Sequence, residues 1–346
     1  MRGTTVASAA VHPRVERVAA KVFRFGIVPK AKARAGEAYM QARARRGGPA
    51  PQIRGVDDAH NAVDDYWTGH LVNSAPFLTA RQSARYLDWR FAQYPLFAEF
   101  SGLYGDHDGE TVLDYGCGPG NDVTGFATRS RARRIVGADV SPSALELARH
   151  RLALHGVGPD RVELVRLSDA HVGLPFEDGS FDFVSSQGVI HHTSEPLAIL
   201  RELHRVLRPG GEGSIMVYNR DSVFLHLVVA WEMQIRDGRF ADLPVEAAFA
   251  KATDGEDCPI ARCYSGPEFV DLLEQAGFEA RYLGGYLTQD ELRAMEQSWG
   301  YAIADERLAE EHRRFLRELR YDYNHRPMTG DLHAGYGGTY RIRRPA

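Results

Sequence analysis

The stretch Thr111-Val-Leu-Asp-Tyr-Gly-Cys-Gly-Pro-Gly-Asn-Asp122 decides the fold. Thr111 to Tyr115 is a short apolar run of the kind that forms a buried strand, with an acid, Asp114, near its end. Gly116, Gly118 and Gly120 then alternate with other residues. Glycine carries no Cβ, so the chain can turn sharply and leave nothing between main chain and ligand. A strand running into such a turn marks the beginning of a nucleotide-type cofactor site.

Outward from this turn the chain alternates helix and strand. A helix is expected from about Asp122 to Ser130 and a strand from Arg134 to Ala138, closing on Asp139. Ser141-Pro142 supplies an N-cap and a first-turn proline for a helix to about Leu154. Strands follow at 162–167, 181–185 and 213–218, with a helix at 196–207 stopped by Pro209-Gly210-Gly211. Short apolar strands separated by helices give an α/β fold, a doubly wound parallel sheet whose ligands bind at the carboxyl ends of the strands.

Asp139 lies at the end of the second of these strands, where both carboxylate oxygens can accept from the hydroxyls of a ribose. The glycine turn and this acid together fit a dinucleotide or any adenosine-containing cofactor. Asp114 favours a cationic or ammonium-bearing ligand over a pyrophosphate, which it would repel. Further motifs follow in order: Ser168-Asp169-Ala170, the run from Leu174 to Asp182, Gln187-Gly188-Val189-Ile190-His191-His192, and the run from Leu203 to Gly211.

With these motifs in place, residues 111–218 resemble the class I S-adenosylmethionine-dependent methyltransferases, in particular the small-molecule group similar to the ubiquinone and menaquinone C-methyltransferases. The resemblance implies a Rossmann-like sheet of seven strands, the last antiparallel, and S-adenosylmethionine as cofactor. It places Asp114, Gly116, Cys117 and Gly118 along the methionine part, Asp139 on the ribose and Val140 against the adenine. Asp169, flanked by Ala170, would accept from the adenine amino group, and Gln187 would sit beside the methionine moiety. The implied reaction is in-line methyl transfer to oxygen, nitrogen or carbon of a small-molecule acceptor.

His192, with His191 as second choice, is the expected general base, since an imidazole can accept a proton near neutrality. Ten aromatics between Val56 and Tyr104 suggest a helical lid at 56–108, with helices near 80–91 and 95–104. Within it, Tyr66 and Trp67 are candidates to close over the cofactor, where an aromatic face attracts a sulfonium. Tyr218, Asn219 and Arg220 would border the acceptor pocket. Insertions at about 220–265 and 287–336 would wall it, completing a methyltransferase domain over 109–346.

The 346 residues carry a net charge of −4, yet residues 1–55 hold twelve Lys/Arg against only Glu16 and Glu37. This basic arm, with a short amphipathic helix expected between Pro13 and Phe25, would dock on the protein's own acidic body. The sharper readings are an anionic membrane surface or nucleic acid. No secretory signal is expected, and three irregularly spaced cysteines fit a reduced cytoplasmic setting. No metal is expected: Asp64-Asp65 and the group Asp322, His325 and His333 lack ligand spacing and read as solvated faces. No nucleic-acid partner is expected, the rival readings being a nucleic-acid or protein methyltransferase and a non-catalytic cofactor-binding scaffold.

Overall fold

The computed structural model describes residues 50–55, 60–72, 74–75 and 77–346. The chain separates into two units, Met1–Gly47 and Gly48–Ala346, and the described residues all belong to the second. The arm helix expected at 13–25 lies outside the described residues.

The strands, in chain order, are β1 (Ile53–Gly55), β2 (Thr111–Tyr115), β3 (Arg134–Asp139), β4 (Val162–Arg166), β5 (Phe181–Gln187), β6 (Leu207–Asn219), β7 (Cys263–Tyr264) and β8 (Glu279–Tyr286). Three short strands, β9 (Arg320–Tyr321), β10 (Pro327–Thr329) and β11 (Leu332–His333), form a small antiparallel sheet of their own, and β12 (Gly337–Arg343) ends the series. The large sheet runs β1-β4-β3-β2-β5-β6-β12-β8, with β7 beside β6. Its neighbours are parallel except β12, which is antiparallel to both β6 and β8.

The expected seven-stranded arrangement is therefore present from β4 to β8, and two short additions bring the sheet to nine. The first corrects the sequence reading. Ile53–Gly55, assigned to the basic arm, instead pairs in parallel with β4, and Arg54 Nε lies 2.9 Å from Glu163 Oε1. A three-residue strand with one apolar side chain leaves no readable periodicity.

Consecutive strand residues serve opposite faces. Leu113, Val136, Val165 and Val184 join one core with Leu200, Ile215 and Phe269, while Val112, Ile135, Leu164 and Phe183 join another with Phe97, Phe126 and Leu152. This two-sided burial explains why the central strands read as continuous apolar runs. The inserted segments build a third core, where Val223 and, from the π-helix Phe224–Arg236 that follows it, Leu227 and Trp231 pack with Ala294, Ala302 and Leu316. Among the described residues, no helix is long and apolar enough to cross a membrane.

The aromatic segment before β2 divides in two. Helix Ala80–Gln93 and the short helix Phe97–Ser101 pack as core, the second shortened from the expected 95–104 because Leu96 and Gly102 both take left-handed backbone. A buried guanidinium anchors this layer. Arg151 Nε donates to Ser83 Oγ at 2.7 Å, and its Nη1 donates to Asn121 Oδ1. Helix Ala62–Gly69 and the residues just after it border the cleft at the carboxyl ends of the strands, and the core helices reach it through Arg90, Tyr94 and Phe97.

The turn after β2 tolerates only glycine at its third position. Gly120 has φ 79°, and a Cβ there would stand 2.7 Å from Ala148 Cβ and 2.9 Å from Ala148 Cα. Gly120→Ala combines a left-handed alanine with overpacking of a helix backbone. The expected loss is about 2–4 kcal/mol, measured as a lower urea midpoint with unchanged slope.

Candidate functional site

A cleft of about 320 Å³ opens at the carboxyl ends of the parallel strands. Its floor is the glycine turn. Gly116 and Cys117 N–H groups both donate to Ala138 O, at 2.7 and 3.0 Å, which folds the turn back onto the end of β3. Gly118 N–H then donates to Asp139 Oδ2 at 2.7 Å, and Ser141 N–H donates to Oδ1 at 2.8 Å. Each carboxylate oxygen keeps acceptor capacity toward the cleft. Burial pushes the Asp139 carboxyl up to about 6, against the pull of these two N–H groups.

The Ser168-Asp169-Ala170 loop is clamped by helix Ala62–Gly69. Asn61 caps that helix and donates through Nδ2 to Asp169 Oδ2 at 3.0 Å. Asp64 accepts from Asp169 N–H at 2.9 Å and from Ser168 Oγ at 2.6 Å. Asp64, expected on a solvated face, is thus buried and structural, because its capping position turns it inward. Asp169 also accepts from Ser194 N–H and Ser194 Oγ, so most of its acceptor positions are already filled.

The opposite end is aromatic and carries the reactive groups. Trp67, Tyr94, Phe97, Tyr218, Tyr286 and Tyr336 line it, with Met216, His192 and Asp254. His192 Nδ1 lies 2.7 Å from the carbonyl oxygen of Ile260. A carbonyl only accepts, so Nδ1 carries the proton and Nε2 keeps its lone pair. Asp254 Oδ1 stands 3.7 Å from that Nε2. It accepts from Tyr218 Oη at 2.9 Å, while Oδ2 accepts from Thr253 Oγ1 at 2.8 Å. Burial lowers the His192 pKa, an effect that Asp254 opposes.

Of the residues singled out from sequence, Gly116, Cys117, Gly118, Asp139, Val140, Asp169, Gln187 and His192 line this one cleft. Asp114, Ala170, Tyr66 and His191 do not border it. Asp114 is buried beneath the turn, its carboxyl pushed well above the usual range by burial and then by Asp122. Tyr66 points the other way, donating to Asp254 O, and Trp67 takes the cleft side because adjacent helical positions face about 100° apart. His191, the second choice of base, is fully buried under the Tyr218 ring at 3.8 Å and held neutral by burial.

Arg90 and Asp254 are among the cleft residues that escaped the sequence reading. Arg90 borders the cleft with its guanidinium on Asp122, at 2.5 and 3.2 Å, and Tyr104 Oη donates to the same carboxylate at 2.5 Å. Nothing in its helix marks it. Asp254 did leave a signal: it is the last residue of helix Val245–Asp254, where the helix dipole disfavours an acid.

Residues 113–215 match the model of a methyltransferase domain. The chain is 32% identical over 143 residues to a ubiquinone biosynthesis O-methyltransferase of Neisseria meningitidis, covering 41% of this chain and 58% of that protein. It is 43% identical over 103 residues to a demethylmenaquinone methyltransferase of Clavibacter sepedonicus, covering 30% of this chain and 39% of that one. A solved putative methyltransferase from Bacillus halodurans aligns with TM-score 0.43 and 19% identity over 72% of this chain and 98% of the other. The chain thus spans less than two thirds of these curated relatives' length. The matched segment agrees with the resemblance read from the motifs, for which S-adenosylmethionine is the implied cofactor. The matched family region stops inside β6, before Asp254, and begins after helix Ala62–Gly69.

The residues present fit that cofactor. The space where a Gly118 side chain would stand is open, with no heavy atom within 4 Å. Gln187 lines the cleft with Nε2 committed to Ser214 O at 2.9 Å and with Oε1 buried and unpartnered. An unpaired buried acceptor suits an ammonium. Paired acceptor oxygens on Asp139 suit a diol.

The Asp64 clamp can be tested separately from any ligand. Asp64→Ala removes two charge-assisted hydrogen bonds and half of a capping box, together about 2 kcal/mol of local stability. Amide exchange over 62–69 is expected to accelerate about 30-fold, with β2 and β3 unchanged. Asp65→Ala, on the exposed side of the same helix, is expected to leave it unaltered.

Proposed function

We propose that the protein transfers a methyl group from S-adenosylmethionine to a small-molecule acceptor, with His192 as the proton acceptor. One observation carries this reading: a histidine with its Nδ1 committed and its Nε2 lone pair free lines the same cleft as the glycine turn and Asp139. When bound, the cofactor would supply an electrophilic methyl carbon on a sulfonium.

The chain's own residues divide the remaining work. Gly116 and Gly118 admit the methionine part against bare backbone, and Gln187 Oε1 accepts from its ammonium. Asp139 accepts the ribose hydroxyls, with Val140 along the adenine and Asp169 at its amino edge. Trp67, Tyr94, Tyr286 and Tyr336 hold a flat or apolar acceptor and exclude water, which would compete for the methyl group. His192 Nε2 takes the acceptor's proton as the new bond forms. A flat ring acceptor, as the names of the ubiquinone and demethylmenaquinone relatives suggest for those proteins, is compatible with such walls. The free thiols of Cys117, Cys258 and Cys263 accord with a reducing compartment, the cytoplasm.

Calorimetry with S-adenosylhomocysteine tests the cofactor half. Ribose hydroxyls donate to a carboxylate, so binding favours ionised Asp139. Affinity should be flat above pH 6 and fall as pH drops through about 6, by up to tenfold per unit. Asp139→Asn should flatten this profile and weaken binding at neutral pH by roughly ten- to a hundredfold. His192→Ala should leave binding unchanged while lowering methyl transfer about a hundredfold or more. No binding by the wild-type protein would exclude the reading.

A further inference from the structure

Asp254 is a buried carboxylate with no lysine or arginine partner among the described residues. Its side chain is 4% exposed, and among the described residues no lysine or arginine nitrogen lies within 4.0 Å of it. The nearby cations are engaged elsewhere: Arg262 Nη1 donates to Thr193 O at 2.7 Å, and Lys251 Nζ to Glu256 O at 2.7 Å. A buried charge is normally paired, and here the exposed side of the pair is the cleft.

The carboxylate is also held in position. Tyr218 Oη and Thr253 Oγ1 each fix one oxygen, and Tyr66 Oη donates to the Asp254 carbonyl. Facing it at 3.7 Å is His192 Nε2, a second acceptor, because Nδ1 carries the ring's proton. Two acceptors at that separation call for a donor with at least two hydrogens on one atom. A hydroxyl has only one. An amine has two, and its ammonium form has three and carries the charge that Asp254 lacks.

The surrounding walls add to this selectivity. Trp67 lies edge-on to His192 at 4.7 Å between ring centroids, and Tyr218 and Tyr336 lie 4.9 Å apart. All four line the cleft. Aromatic faces around a carboxylate attract an organic cation by cation–π and Coulomb terms together.

Building on the methyltransferase reading, we infer that the acceptor is an amine, bound as its ammonium between Asp254 and His192 and methylated on nitrogen. The ammonium gives one proton to His192 Nε2. The freed nitrogen lone pair forms the bond to the methyl carbon, and the electron pair of the carbon–sulfur bond departs on sulfur. The product is a methylated ammonium with a neutral thioether, and the imidazolium returns its proton to solvent. Asp254 acts as a binding residue for the acceptor and stabilises the transient imidazolium.

The test uses the full-length protein saturated with S-adenosylhomocysteine, titrated calorimetrically with phenethylamine and with its isostere phenethyl alcohol. The amine is expected to bind at least tenfold more tightly. Asp254→Asn should remove that preference, bringing the amine to the level of the alcohol, with S-adenosylhomocysteine affinity kept within twofold as the check on folding. Asp254→Glu, which keeps the charge, should retain part of it. Equal binding of amine and alcohol, binding of neither, or a preference that survives Asp254→Asn would overturn the amine assignment. These outcomes would leave the methyltransferase reading standing as long as S-adenosylhomocysteine binds, whereas loss of that binding in the wild-type protein would overturn both.

Discussion

The hydrogen bond from Gly118 N–H to Asp139, 2.7 Å long, is the constraint on which the cleft depends. It joins the loops that leave two adjacent parallel strands, and it can form only because the turn after β2 doubles back. Gly116 and Gly120 permit that reversal with φ of 75° and 79°. Side chains at either position would meet Val189 or Ala148 at under 3 Å. Backbone and carboxylate are therefore locked together at the mouth of the sheet, with one face of each still free. The register of β2 against β3, from Thr111 opposite Arg134 to Tyr115 opposite Ala138, delivers both loops to the same level.

This explains why part of the molecule was legible from sequence and part was not. From Thr111 to Tyr218 the constraints are local: a strand must end where its turn begins, and the turn needs glycine at particular positions. Such requirements leave marks at fixed spacing, so the succession of strands and helices could be read, and Asp139, Gln187 and His192, picked out at the strand ends, do border the cleft. Tyr66 and Trp67 show the limit. The pair was readable as a candidate, but its helix was not, and which of the two neighbours faces the cleft is set by the docking of Asn61 and Asp64 on a loop more than a hundred residues away. His191 and His192 pose the same problem, resolved by the carbonyl of Ile260.

Asp254 shows a different kind of opacity. Its segment matches no motif, and its place in the cleft follows from the packing of helix Val245–Asp254 against the inserted π-helix, through contacts such as Phe249 with Phe224. Its only local mark is an acid at the wrong end of a helix. An unfavourable charge of this sort persists where something else compensates, and here Tyr218, Thr253 and the cleft do so.

The two ends of the cleft are not independent, because one eight-residue helix touches both. Helix Ala62–Gly69 holds the Ser168-Asp169 loop through Asp64, holds the Asp254 carbonyl through Tyr66, and places Trp67 between them against His192. These three residues lie within a single turn, so moving the helix breaks all three contacts together. A ligand that orders the Asp169 loop therefore also favours the position of the Asp254 carboxylate, and the reverse holds by the same linkage. The coupling needs no relay through the sheet, because the helix is the shared element. The matched methyltransferase region contains neither this helix nor Asp254. On the proposed reading, the acceptor site is completed by Trp67 and Asp254 from outside that region, while His192 and the cofactor floor lie within it.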